Sequence, residues 1–77
     1  MDLRIGIAQT NQIIELELDD ETDRADLKAQ IDDVLGDEEK VLWLVDRKGK
    51  ETAVPASRIS FVELSSVDPD RRIGFGA

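Results

Sequence analysis

Five consecutive residues, "VLWLV" at positions 41–45, limit the fold more than any other stretch of this 77-residue chain. In an extended strand successive side chains alternate between faces, so Val41, Trp43 and Val45 point one way while Leu42 and Leu44 point the other. Both faces are apolar, as in a central strand covered on both sides. A chain this short buries only about 60% of the surface its unfolded form exposes, so there is little material with which to cover both. One helix can cover one face of a sheet, and the other face must meet something else.

The remaining segments supply one helix and four more strands. "LRIGI" places Leu3, Ile5 and Ile7 on one face, and "IIELELD" places Ile14, Leu16 and Leu18 on one face with Ile13, Glu15, Glu17 and Asp19 opposite. An antiparallel register through the "AQTNQ" turn that pairs Ile7 with Ile14 sets Ile5 against Leu16, Leu3 against Leu18 and Arg4 against Glu17. Leu27, Ile31, Val34 and Leu35 then follow helical spacing, which predicts a helix from about Asp23 to Leu35. Thr22 or Asp23 can cap it, and Gly36 stands where a left-handed stop residue is expected. After the 41–45 strand, "DRKG" forms a turn with Gly49 at its strained position, and a further strand runs to Pro55, which ends the ladder. In the last strand, "ISFVEL", the apolar residues Ile59, Phe61, Val62 and Leu64 switch parity, which predicts a bulge or a twist.

The resulting order is strand, strand, helix, strand, strand, strand, an α+β fold. A right-handed crossover through the helix places the 41–45 strand beside the first strand in a mixed sheet, with one helix packed on one face. That arrangement is β-grasp-like, and a curled half-barrel with one helix has the same order of elements. Residues 1–65 form the compact domain, and residues 66–77 form a polar linker, "SSVDPDRR" at its core, with an apolar tail, "IGFGA".

Composition narrows the chemistry. The chain has no Cys and no His, so disulfides, the usual zinc, iron-sulfur and haem ligand sets, and the common nucleophile-base pairs are absent. Asp19, Glu21 and Asp23 alternate as in a calcium loop, but Arg24 and Gln30 occupy the positions that need Gly and Glu. "GKET" at 49–52 departs from a phosphate loop, with Leu44 where the first Gly belongs and no helix following. The paired carboxylates at 19–23 sit at a strand-to-helix turn, where solvated capping explains them. No catalytic, cofactor-binding or metal-binding residue is assigned, and no cofactor is expected.

The net charge of −8 argues against direct nucleic-acid binding. It is uneven: residues 1–39 carry −10 and residues 40–77 carry +2, an asymmetry that can orient a partner or a second copy. "MDLRIGI" lacks the form of a secretory leader, and no apolar run is long enough to cross a membrane, so the expectation is a cytoplasmic protein.

Two features point to docking. Trp43, with Val41 and Val45, either lies on an open sheet face as an interface anchor or is covered by curling of the sheet or by the tail. Arg71, Arg72, Ile73 and Phe75 in the tail either cover the domain's own open face or reach a partner as a short linear motif.

"RIGI", "DRKGKETAVPASRISFVEL" and "RRIGFGA" together resemble a family of small actinobacterial proteins catalogued as domain of unknown function thirty-one hundred and seven. The most specific parts are Val54 and Pro55 followed by Ile59, Val62 and Glu63, and the tail from Arg72. The resemblance spans nearly the whole chain and implies a cytoplasmic stand-alone module whose tail belongs to the family pattern. It brings no assigned reaction or ligand. The β-grasp likeness also raises a carrier or modifier role, but such proteins end in Gly-Gly and this one ends "GFGA", with Phe75 between the glycines. The expected function is therefore a non-enzymatic protein-interaction module with a protein partner or self-association. A β-grasp carrier and a nucleotide (ATP) binder are the alternatives.

Overall fold

Residues 1–65 are described by a computed structural model, and the linker and tail expected over 66–77 lie outside them. The order is β1 (Asp2–Ile7), β2 (Ile13–Glu17), α1 (Arg24–Leu35), β3 (Val41–Val45), β4 (Glu51–Pro55), a 3-10 turn (Ala56–Arg58) and β5 (Ile59–Leu64). The α+β class and every element read from the sequence are present.

The β1–β2 turn is tighter than the apolar pattern suggested. Thr10 Oγ1 donates to Ile7 O and accepts from the Gln12 N–H, while Gln9 takes a positive φ of 66°, so the strands close on Ile7 and Gln12. The register consequently moves by two residues from the expected one: Ile5 faces Ile14, Leu3 faces Leu16 and Arg4 faces Glu15. A two-residue shift preserves the faces, so the same side chains still point inward. Glu17, expected opposite Arg4, instead takes Arg47.

Asp23 caps α1, its carboxylate accepting the Asp26 N–H at 3.0 Å, and Leu27, Ile31 and Val34 form the buried stripe. Gly36 does not act as a left-handed stop. Its φ is −82°, and the chain leaves the helix through Asp37, whose Oδ1 accepts the Glu39 N–H and whose carbonyl accepts the Lys40 N–H. Among the described residues the positive-φ glycine is Gly49, at 91° in the β3–β4 turn, as the sequence indicated.

Pairing differs from the single mixed sheet. Two antiparallel sheets form among the described residues, β2-β1-β5 and β3-β4, without closing a barrel. β1 takes β5 as its second neighbour through five pairs from Leu3–Leu64 to Ile7–Ile59, and β3 pairs with β4. Two effects favour this outcome. An antiparallel ladder is slightly more stable per residue than the parallel one it replaces, and β5 adds Ile59, Val62 and Leu64 to the core margin. The helix therefore crosses from one sheet to the other.

The parity switch in β5 is a bulge. The register with β1 shifts between Gly6 and Ile7, and the pairs Gly6–Phe61 and Ile7–Ile59 leave Ser60 as the extra residue. Phe61 is thereby sent outward, onto Gly6, while Ile59 and Val62 face in. The core draws on both sheets and the helix: Leu3, Ile5, Leu16, Leu18, Leu27, Ile31, Val34, Leu42, Leu44, Val54 and Ala56, with Leu3, Ile5 and Leu42 fully enclosed.

A Cβ on Gly6 would enter the space of the Phe61 ring. Because Phe61 is partly exposed, its ring can swing aside, and Gly6→Ala should cost about 1 kcal/mol, the loss of one aromatic contact. In a Phe61→Ala background the same substitution should be neutral. A double-mutant cycle by urea denaturation checks this, and additive costs would show that the two residues are uncoupled.

Candidate functional site

The outer face of the β3–β4 sheet is the candidate site. Alternation sends Leu42 and Leu44 into the core, which leaves Val41, Trp43 and Val45 on the outside with exposures of 41%, 57% and 56%. Trp43 is therefore not covered by curling of the described sheets, and the tail that was the other candidate cover lies outside the described residues. Cross-strand pairing extends the face: Trp43 lies opposite Ala53, Val41 opposite Pro55 and Val45 opposite Glu51. Ala53 and Pro55 are exposed and were not read as site residues. The turn at 46–49 fixes this register, so counting back from it would have identified them.

Several contacts hold the face in shape. Gln30 Nε2 on α1 donates to Trp43 O at 3.0 Å, fixing the middle of β3 against the helix. Asp46 organises the turn: its Oδ1 accepts the Lys48 and Lys50 N–H groups, both at 2.9 Å, and its own N–H donates to Lys50 O. These backbone donors, that of Lys50 first, hold the Asp46 carboxyl below its ordinary value of 3.8. Arg47 ties the hairpin to the other sheet twice, with its N–H donating to Glu17 O at 2.9 Å and its Nη1 to Glu17 Oε2 at 2.8 Å. Lys40, just before β3, reaches Asp33 Oδ2 on α1 at 2.7 Å, a bond that raises the lysine's pKa.

The other exposed face is different in character. On β2-β1-β5, Arg4 sits between Glu15 and Glu63, 3.4 Å from each, and exposed pairs of this kind contribute little stability. Ile13 and Phe61 flank Gly6 at one end of it. Among the described residues no polar or charged side chain is buried, and no cluster of three acidic residues could hold a metal ion. "GKET" runs from the turn into β4 and opens no helix. The described residues thus bring Val41, Trp43 and Val45 together, while Arg71, Arg72, Ile73 and Phe75 lie outside them.

The match to protein-family models covers residues 1–76, and the family is described as Protein of unknown function (DUF3107). The chain belongs to this family. Among curated proteins, none matches it. The DUF3107 description names no reaction, ligand or partner, but the match takes in the carboxyl-terminal segment through residue 76 as part of the family's pattern. No described helix is long and apolar enough to cross a membrane.

The depressed pKa of Asp46 gives the hairpin a pH dependence. Folded-state pKa lies below the unfolded value, so the contribution is present above the unfolded value and is lost as pH falls through the depressed one. Acid titration followed by the amide signals of Lys48 and Lys50 should show the turn loosening as pH falls below the ordinary Asp46 value of 3.8. Asp46→Asn should remove that step, and an identical titration in the variant would assign it to another group.

Proposed function

We propose that this protein is a non-enzymatic cytoplasmic interaction module that docks a protein partner, or a second copy, on the outer face of β3–β4. The exposure of Trp43 between two exposed valines carries this reading. Apolar side chains on the outside of a small domain gain nothing for folding, and a Trp among them is the residue type that most often supplies binding energy when an interface covers it. The face is held from behind by Leu42, Leu44 and Val54 and at its ends by Asp46 and Arg47, so little ordering cost attends its use. The carboxyl-terminal residues Arg71, Arg72, Ile73 and Phe75 form the second element of the module, and their docking place decides whether they are offered outward or kept on the domain.

Trp43→Ala should leave the thermal midpoint nearly unchanged, because the side chain is mostly outside the core. It should also weaken capture of a partner by about 2 kcal/mol, roughly thirtyfold. The measurement is quantitative affinity capture from the native cell extract beside sedimentation of the purified protein. A binder retained equally by wild type and variant, with no change in self-association, would sink the proposal.

A further inference from the structure

β5 is an edge strand with an open outer side. Because the Ser65 N–H donates to Asp2 O, Asp2 and Ser65 form a hydrogen-bonded pair, and alternation along the ladder makes Arg4–Glu63 and Gly6–Phe61 pairs of the same kind. The N–H and C=O groups of Val62 and Leu64 therefore point away from β1, and among the described residues no strand pairs with them. No proline or lysine guards the strand between Ile59 and Leu64. Alongside this edge a groove of about 260 Å³ separates β5 from α1, with Ile31, Leu35, Val62 and Leu64 as its walls. Leu35 is 47% exposed although it continues the apolar stripe of the helix.

We infer that a second copy of this chain adds its own β5 to this edge, antiparallel, so that the α1 helices meet flank to flank across a twofold axis through Val62. A strand is the occupant because the edge offers a row of backbone donors and acceptors that extended chain satisfies. The charges on the helix flank favour a second copy. Lys28 and Asp32 line the groove, both exposed, and neither lies within ion-pair distance of an opposite charge among the described residues. Leu64 is level with the start of α1, since it pairs with Leu3 while Arg24 reaches the sulfur of Met1. Val62 is about 7 Å back along the strand, and that distance covers about five residues of helix, so an axis through Val62 crosses α1 close to Gln30. Antiparallel helices related by this axis set Lys28 against Asp32 of the second copy, and Asp32 against Lys28 of the second copy. Leu35 then meets Ala25 of the second copy, where Ala25 and Ala29 leave a shallow depression in the helix surface.

The opposite edge of the sheet does not suit self-pairing. The Leu18 N–H donates to Met1 O and the Ile7 N–H to Gln12 O, so Leu3–Leu16 and Ile5–Ile14 are the hydrogen-bonded pairs with β2. The backbone groups of Ile13, Glu15 and Glu17 therefore point outward. Of these the Glu17 carbonyl is already taken by the Arg47 N–H, and self-pairing centred on the middle residue of β2 brings Glu15 against Glu15. On β5 an axis through Val62 puts Phe61 opposite Glu63 of the second copy, and no like charges face each other. This inference does not depend on what the β3–β4 face binds.

Sedimentation equilibrium of the full chain at low ionic strength should show a reversible dimer between micromolar and millimolar concentrations, and the Val62 and Leu64 amides should exchange more slowly as concentration rises. Lys28→Asp and Asp32→Lys each turn both cross-copy ion pairs into like-charge contacts, and each should weaken dimerisation about tenfold. Both side chains are exposed, so the variants keep the fold. Combining the two substitutions restores opposite charges and should recover the wild-type dimer, while Trp43→Ala should leave it unchanged. Single variants that dimerise like wild type, or a combined variant that recovers nothing, overturn the inference. So does a protein that stays monomeric throughout the range, and slow exchange of Val62 and Leu64 in such a monomer would give the edge to another part of the same chain. Loss of the dimer in Trp43→Ala but not in Lys28→Asp would move the contact to the β3–β4 face and overturn it equally.

Discussion

Two sheets that share no backbone ladder are held together by one shared core, and the rest of the molecule depends on that burial. Leu3 and Ile5 project from one sheet and Leu42 from the other into space that no solvent reaches. With no cysteine and no metal-binding cluster among the described residues, apolar contact must carry most of the stability. Polar links between the sheets are few and peripheral, chiefly the double attachment of Arg47 to Glu17. Their role is to set the relative position of sheets that packing has already joined.

The alternation of β3 connects this core to the surface. Leu42 and Leu44 enter because the helix and both sheets meet there, and strand geometry then obliges Val41, Trp43 and Val45 to face outward. No rearrangement within the described domain can bury both sets, because a one-residue slip would exchange them and empty the core. The open face thus follows from the core. The Asp46-centred turn and the Gln30 contact stiffen the face without covering it.

Much of this was legible in the sequence because period-two and helical spacings report which face each residue takes. The helix stripe through Val34, a cap at Thr22 or Asp23, Gly49 and an irregularity at Phe61 and Val62 all arise from local chemistry and were readable, although Leu35, counted in the stripe, is 47% exposed. Register and sheet order were not, since they depend on competition between partners. The shift in β1–β2 came from the Thr10 hydroxyl and the left-handed Gln9, which the apolar pattern cannot register. The choice of β5 over β3 beside β1 turned on ladder direction and on which strand adds more apolar surface. Gly36 was misassigned because Asp37 supplies the turn chemistry one residue later.

An exposed apolar sheet face invites aggregation, yet the edges of β3–β4 are blunted while the face is left open. On β4 the edge residue Pro55 has no N–H to offer a new strand, and on β3 the Trp43 carbonyl is already taken by Gln30. Lys40, Lys48 and Lys50 crowd the two ends of the hairpin, and the helix side of the molecule is strongly acidic. Growth by strand addition would therefore leave a carbonyl and a missing donor unsatisfied and bring lysines together, whereas docking across the face meets none of these penalties. The hairpin discourages indefinite β-pairing and leaves Trp43 accessible, a combination suited to a discrete interface.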